Sequence, residues 1–157
     1  MNKPRLFIDR LLSAILACLM AALVINVLWQ VATRFLLDDP SSVTEEIAQF
    51  LLLWIGLLGA CYAYRRNSHL GLDIVTSNLD PAPRALSRKF VLLVSSAFAL
   101  VVLVYGGGQL VWLTLELGQT SAALGIPMGY VYAVLPVSGL LIIFYSAAGW
   151  HTGPEAH

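Results

Sequence analysis

The stretch LLSAILACLMAALVINVLWQVAT at residues 11–33 contains no Asp, Glu, Lys or Arg, and it decides the fold of this chain. Three further stretches, at 47–64, 90–115 and 124–150, also lack these four residue types. A helix crosses a bilayer in about 20 apolar residues, because each residue adds about 1.5 Å to its length. The sequence therefore predicts an all-α membrane protein with four transmembrane helices. The predicted spans are about 11–33, 45–64, 88–115 and 126–150.

The overall composition agrees with a membrane protein. Hydrophobic residues make up 59% of the chain and charged residues 11%, whereas a typical soluble domain carries about 25% charged residues. Four spans joined by short loops use almost the whole chain, so we expect one domain over residues 1–157. The net charge is zero, which gives no indication of nucleic-acid binding. Cys18 and Cys61 lie in different spans, which favours packing over a redox or metal pair.

The distribution of Lys and Arg predicts the orientation. Eight of the nine precede the first span or lie between the second and third, and Arg34 is the exception. Cytoplasmic loops retain positive charge in membrane proteins. We therefore predict that both termini and the middle loop are cytoplasmic, and that the other two loops face outward. The first apolar run is too long for a signal peptide, so we predict an uncleaved helix there.

Three features break the simple pattern of apolar spans and polar loops. The middle loop contains Leu70, Leu72, Ile74, Val75 and Leu79 among polar residues. This pattern is compatible with a short amphipathic helix on the inner membrane surface, among other conformations. Pro136 lies inside the fourth span and predicts a bend there, because proline has no backbone N–H. The glycines at 106–108 predict a kink or a close helix contact in the third span.

The spans carry little that points to catalysis. No Asp, Glu, Lys, Arg or His lies in the middle of a span, although such residues usually mark a transport path. The sequence therefore predicts a protein that is not an enzyme, with no catalytic residue, metal site or cofactor. Uncharged polar residues at depth include Asn26, Gln30, Gln49, Ser95, Ser96 and Gln109. Hydrogen bonds between helices explain them better than a substrate site, because they are scattered.

Small residues on the second span predict a close helix contact. Gly56 with Ala60, and Gly59 with Ala63, place small side chains one helical turn apart. This spacing lets another helix approach closely. The sequence leaves open whether that helix belongs to this chain or to a partner membrane protein.

Charged residues cluster where the first and second spans meet the predicted outer surface. Arg34 follows the first span, and Glu45 and Glu46 precede the second. An ion pair that ties the two spans together is the favoured interpretation, and a direct contact with a partner protein is the alternative. Glu45 also completes a capping box with Ser42 at the start of the second helix.

The order of motifs around the second span resembles a known family. The motifs are Arg34-Phe35, Glu45-Glu46, Trp54 followed by Ile55-Gly56-Leu57-Leu58-Gly59-Ala60, and Arg65-Arg66 followed by His69. They resemble the small, Q-type membrane subunit of tripartite ATP-independent periplasmic (TRAP) transporters. Leu124-Gly125-Ile126-Pro127 and Leu135-Pro136 are similar to the fourth span of that family. Val43 is a departure, since family members often have tryptophan before the acidic pair.

The resemblance implies a function as a multi-pass subunit in the bacterial inner membrane. Such a subunit packs on the scaffold of a large transport subunit, is surrounded by membrane lipid, and helps to form an outer docking surface. A periplasmic binding protein then delivers an organic acid, which the large subunit moves inward with sodium. Arg65, Arg66 and His69 would form a motif of the family on the cytoplasmic face, and Trp54 would lie at a helix contact or subunit interface.

Two functions of other classes remain as alternatives. One is an autonomous small transporter or channel that forms homo-oligomers, which would need a polar pathway that these spans barely offer. The other is a membrane assembly factor without a transport role. The sequence does not identify a substrate, because no residue of this chain is expected to contact it.

Overall fold

The computed structural model describes residues 3–36, 42–67 and 81–151, and these ranges are helical apart from the loop between the third and fourth spans. The helices are α1 Lys3–Leu36, α2 Ser42–Asn67, α3 Pro81–Phe98, α4 Gly107–Glu116, α5 Met128–Tyr132 and α6 Val134–His151. A π-helical segment, Ala99–Gly106, joins α3 to α4. The middle-loop residues 68–80, whose sequence is compatible with a short amphipathic helix, lie outside the described ranges.

Four helical stretches of the described residues are long and apolar enough to cross a membrane. They are Leu6–Phe35, Ser42–Tyr64, Phe90–Glu116 and Met128–Ala147. This confirms the predicted four-span architecture. The first helix has 34 residues and is therefore about 51 Å long. Because the hydrocarbon core of a bilayer is about 30 Å thick, α1 extends beyond the membrane or crosses it at a tilt.

The fourth span occupies the centre of the packing. The second span packs against α1 on one side and α6 on the other, and α6 also packs against the third span. The buried core joins α1, α2 and the fourth span through Leu12, Leu58, Cys61, Val134 and Tyr145. The first span is the least buried of the four and the fourth is the most buried. Most of the surface of α1 is therefore left for lipid or another protein.

The second and fourth spans run parallel and in register. The indole N–H of Trp54 donates to the carbonyl oxygen of Val131 at 3.1 Å, and the thiol of Cys61 donates to that of Ser138 at 3.3 Å. Both bonds join residues 77 positions apart. A constant separation means that the two helices advance in the same direction. Two spans of the same direction must start on the same side of the membrane, as the four-span prediction requires.

The third and fourth spans run antiparallel and approach each other at three glycines. These are Gly107, Gly129 and Gly139. A methyl group added at Gly107 would lie 2.7 Å from Cβ of Leu135, and one at Gly139 would lie 2.8 Å from Cβ of Leu103. Such distances leave no room for any larger side chain. The close helix contact predicted from the glycines at 106–108 is therefore present. Of Gly106, Gly107 and Gly108, it is Gly107 that makes this contact.

Both of these spans depart from regular α-helix. The third contains the π-helical turns of Ala99–Gly106, immediately before its glycines. The fourth is interrupted at Ala133, between α5 and α6. This interruption lies three residues before Pro136, which cannot donate an N–H to the preceding turn. The bend predicted at Pro136 therefore lies close to the observed interruption at Ala133. Near this interruption, the indole N–H of Trp54 donates to the carbonyl oxygen of Val131.

Candidate functional site

The loop at residues 117–127, between α4 and α5, has a defined backbone conformation. Gly118 and Gly125 adopt φ values of 61° and 66°, in the left-handed region where glycine is favoured. The backbone N–H of Ser121 donates to the carbonyl oxygen of Ile126 at 2.9 Å, and the N–H of Ile126 donates back to the Ser121 hydroxyl at 3.2 Å. These paired bonds fold the 117–127 loop onto itself as a compact turn.

The carboxylate of Glu46 binds this loop from the second span. It accepts hydrogen bonds from the backbone N–H groups of Ala122 at 3.0 Å, Ala123 at 3.1 Å and Leu124 at 2.8 Å. Three successive N–H groups that point at one anion form a concave binding site of the kind called a nest. Hydrogen bonds to an ionised acceptor are about twice as strong as neutral ones. Glu46 therefore fastens the 117–127 loop to α2.

A second tie connects the first two spans at the same end of the molecule. The side-chain amide of Asn26 donates to the carbonyl oxygen of Thr44 at 2.7 Å. This confirms the interpretation of Asn26 as an interhelical hydrogen-bonding residue. Ser96 instead bonds within its own helix, to the carbonyl of Leu92. Asn26 and Ser96 therefore serve different structural roles, one between helices and one within a helix.

Arg34 lies in the last turn of α1, and its side chain is exposed, as is that of Glu45. The hydrogen bonds of Glu46 described above lead to the 117–127 loop. These hydrogen bonds are compatible with the predicted pair, because the Glu46 carboxylate still attracts the Arg34 guanidinium group by Coulomb interaction at longer range. The predicted ion pair of Arg34 with Glu45 and Glu46 therefore stays a prediction.

The predicted contact residues of the second span lie on different faces of α2. Trp54 faces the fourth span, as its bond to the backbone shows. A methyl group added at Gly56 or Gly59 would have no atom of the described chain within 4 Å. Ala60 and Ala63 are exposed. The small residues therefore form a smooth surface that the described part of this chain leaves uncovered.

The opposite end of the bundle carries a polar layer that sequence reasoning missed. The hydroxyl of Tyr145 donates to a carboxylate oxygen of buried Asp9 at 3.0 Å. The hydroxyls of Tyr64 and Ser146 are 2.7 Å apart. These contacts join α1 and α2 to α6. The sequence feature that could have indicated the role of Asp9 is that it is the one acidic residue before the first apolar run.

The structure describes only part of the motif that the sequence analysis predicts for the cytoplasmic face. Arg65 and Arg66 lie in the last turn of α2, directly after Tyr64, and His69 lies outside the described residues. Within the described residues, no group of three or more His, Cys, Asp or Glu is placed to hold a metal ion. The polar contacts described above join helices and hold the 117–127 loop.

A family comparison matches most of the chain. Residues 23–151 match the family described as tripartite ATP-independent periplasmic transporters, DctQ component. This range includes the second span with its motifs, the 117–127 loop and the fourth span.

Individual relatives agree with that match. The chain is 33% identical to a sialic acid TRAP transporter small permease protein of Vibrio cholerae, over 89% of this chain and 79% of that protein. It is 26% identical to a putative TRAP transporter small permease protein of Haemophilus influenzae, over 87% of this chain and 83% of the relative. It is 34% identical to an isethionate TRAP transporter permease protein of Oleidesulfovibrio alaskensis, over 64% of this chain but 16% of the relative.

Proposed function

Because this chain belongs to the DctQ component family of tripartite ATP-independent periplasmic transporters, we propose that it packs on and stabilises the scaffold of a large permease subunit. It is a small permease subunit of a transporter and not an enzyme, and it is a multi-pass protein of the inner membrane. In the proposed mechanism, the large subunit takes up an organic acid with sodium. A periplasmic binding protein delivers that acid to the outer face of the complex.

The observation that carries the proposal is that the isethionate permease relative is much longer than the segment of it that matches this chain. The match covers 64% of this chain but only 16% of that protein. The small-subunit sequence is therefore one part of a much longer permease chain there. Covalent linkage gives two parts a high effective concentration and favours partners that work in contact. We infer that this chain, as a separate polypeptide, binds a large permease subunit in the same way.

The surface of the chain supports a partner within the membrane. Large apolar side chains on α1 and the third span are more than half exposed, among them Ile25, Leu28, Trp29, Tyr105 and Trp112. In a bilayer such surfaces meet lipid or another protein. The uncovered small residues of α2 allow a neighbouring helix to approach closely. We propose that this α2 surface contacts the large subunit and that much of the remaining apolar surface contacts lipid.

The proposed contact is tested by replacing Gly56 or Gly59 with leucine. Each change should reduce co-purification with the large subunit at least about tenfold, equivalent to about 1.4 kcal/mol, because a bulky side chain would separate the helices. The melting temperature of this chain alone should not fall, since no described atom lies near either position. Undiminished co-purification of both variants would show that this surface of α2 faces lipid and would contradict the proposed contact.

The orientation is a separate proposal with its own test. We propose that both termini are cytoplasmic, because eight of the nine Lys and Arg residues lie on that side. A reporter fused at Glu155 should be active only in its cytoplasmic form, and one fused at Asp39 only in its periplasmic form. A fusion at Arg65 should also be active only in its cytoplasmic form, because the same proposal places the middle loop in the cytoplasm. Periplasmic activity at Glu155 would contradict the proposed orientation.

A further inference from the structure

We propose that Glu46 is a positioning residue, which holds the 117–127 loop on α2 as a pre-formed docking surface for the periplasmic binding protein. This inference rests on the proposed function, because it assumes that a binding protein docks at the outer face. It adds a specific element of that face and the side chain that fixes it.

The geometry makes Glu46 the anchor of the loop. Its carboxylate oxygens accept from three successive backbone N–H groups of residues 122–124, at 2.8–3.1 Å. These residues are 76–78 positions away in the chain. The bonds therefore link the loop directly to the second span, in addition to the hydrogen bonds that it makes within itself and with the end of the third span.

The loop has no charged group with which to fasten itself. Residues 117–127 contain no Asp, Glu, Lys, Arg or His. They lie outside the membrane spans, between the end of the third at Glu116 and the start of the fourth at Met128. Leu117 and Ile126 expose apolar side chains from this loop. The surface presented outside the membrane spans is therefore uncharged and partly apolar, and a carboxylate from another helix helps to fix it in place.

A fixed loop binds a partner more tightly than a loop that must be ordered on contact. Fixing the backbone of one residue costs about 1–2 kcal/mol of conformational entropy at room temperature. When the loop is already held in the free protein, this entropy loss does not reduce the free energy of docking. Loss of the Glu46 carboxylate should therefore weaken docking of the binding protein.

The experiment compares Glu46→Ala and Glu46→Gln with Glu116→Gln. Glu116 is a suitable control because it is an acidic residue at the same end of the molecule and accepts a bond from Trp112 of its own helix. Three quantities are measured: hydrogen exchange of the 117–127 peptide in the chain alone, co-purification with the cognate large subunit, and the Kd of the cognate binding protein for the complex in nanodiscs.

For Glu46→Ala we expect exchange of the 117–127 peptide to rise about tenfold, and the Kd to rise by a similar factor, as the loss of charge-assisted hydrogen bonds predicts. Glu46→Gln should give smaller changes in the same direction, because its amide oxygen still accepts one bond. Co-purification should remain at the level of the unmodified chain. Glu116→Gln should leave all three quantities unchanged.

Two results would overturn the inference. One is unchanged exchange of the 117–127 peptide in both Glu46 variants, and the other is faster exchange with an unchanged Kd. Should Glu46→Ala fail to accumulate in the membrane, Glu46→Gln decides by the same criteria. Failure of the proposed function gives a different result, since the unmodified chain would then not co-purify with the large subunit at all.

Discussion

Reconstituted alone into liposomes with an inward sodium gradient, this chain is expected to take up no organic acid. The reason is the composition of its spans, which have no Asp, Glu, Lys, Arg or His in their middle. Residues that bind ions or move protons within a membrane are almost always of these types. Two of the polar side chains at depth bond to backbone carbonyl groups: Asn26 to that of Thr44 and Ser96 to that of Leu92.

The measurement uses radiolabelled sialic acid and isethionate, the compounds named for two of the relatives, together with the substrate of the cognate binding protein. Liposomes that hold this chain with the cognate large subunit and binding protein are the positive control and should accumulate that substrate. Robust uptake by the chain alone would contradict the scaffold proposal and favour an autonomous small transporter. Uptake by the large subunit at full rate without this chain would contradict its proposed stabilising role.

Gly139→Leu is expected to be the most destabilising substitution of those considered. Cβ of the new side chain would lie 2.8 Å from both Leu103 and Val104, and 3.1 Å from the carbonyl oxygen of Ala99. The third and fourth spans would have to separate to admit it. Overpacking a well-packed core costs about 1–3 kcal/mol and occasionally more, and a leucine at this crossing should reach at least the upper part of that range.

The measurement is the thermal unfolding of the purified chain in detergent, with Gly108→Leu as the matched control. Gly108 lies on the same packed pair of spans, but a methyl group there would have no atom of the described chain within 4 Å. Leucine is also a better helix former than glycine, so the control should melt at the same temperature or slightly higher. Equal melting of the two variants would show that the spans are not in close contact at Gly139.

The architecture was largely predictable, because it depends on the apolar character of long stretches and not on any single residue. Four apolar stretches of sufficient length specify four spans whatever their detailed packing, and the structure has them. Helix interruption near Pro136 was predictable for a local reason, the missing N–H. The π-helical turns of Ala99–Gly106 were not predictable, since no residue type in that apolar segment requires them.

The contacts between spans were less predictable, because a sequence pattern describes a surface and does not name its neighbour. The spacing of Gly56 and Gly59 indicates a smooth helix face, but the close contacts within the chain occur at Gly107, Gly129 and Gly139. The sequence suggests Arg34, which is close in sequence, as a partner for Glu46. The hydrogen bonds described for it lead to a loop 76–78 positions away, and such a partner leaves no local signal.

The parallel register of the second and fourth spans has a consequence for how this protein tolerates evolutionary change. Glu46, Trp54 and Cys61 contribute side chains, whereas the groups they bind are backbone N–H and carbonyl groups. A backbone group persists through almost every substitution. These bonds therefore constrain the residue types on the second span. Residues 122–124, 131 and 138 can be substituted without loss of the bonds. Proline at 122, 123 or 124 is the exception, because it alone would delete a donor.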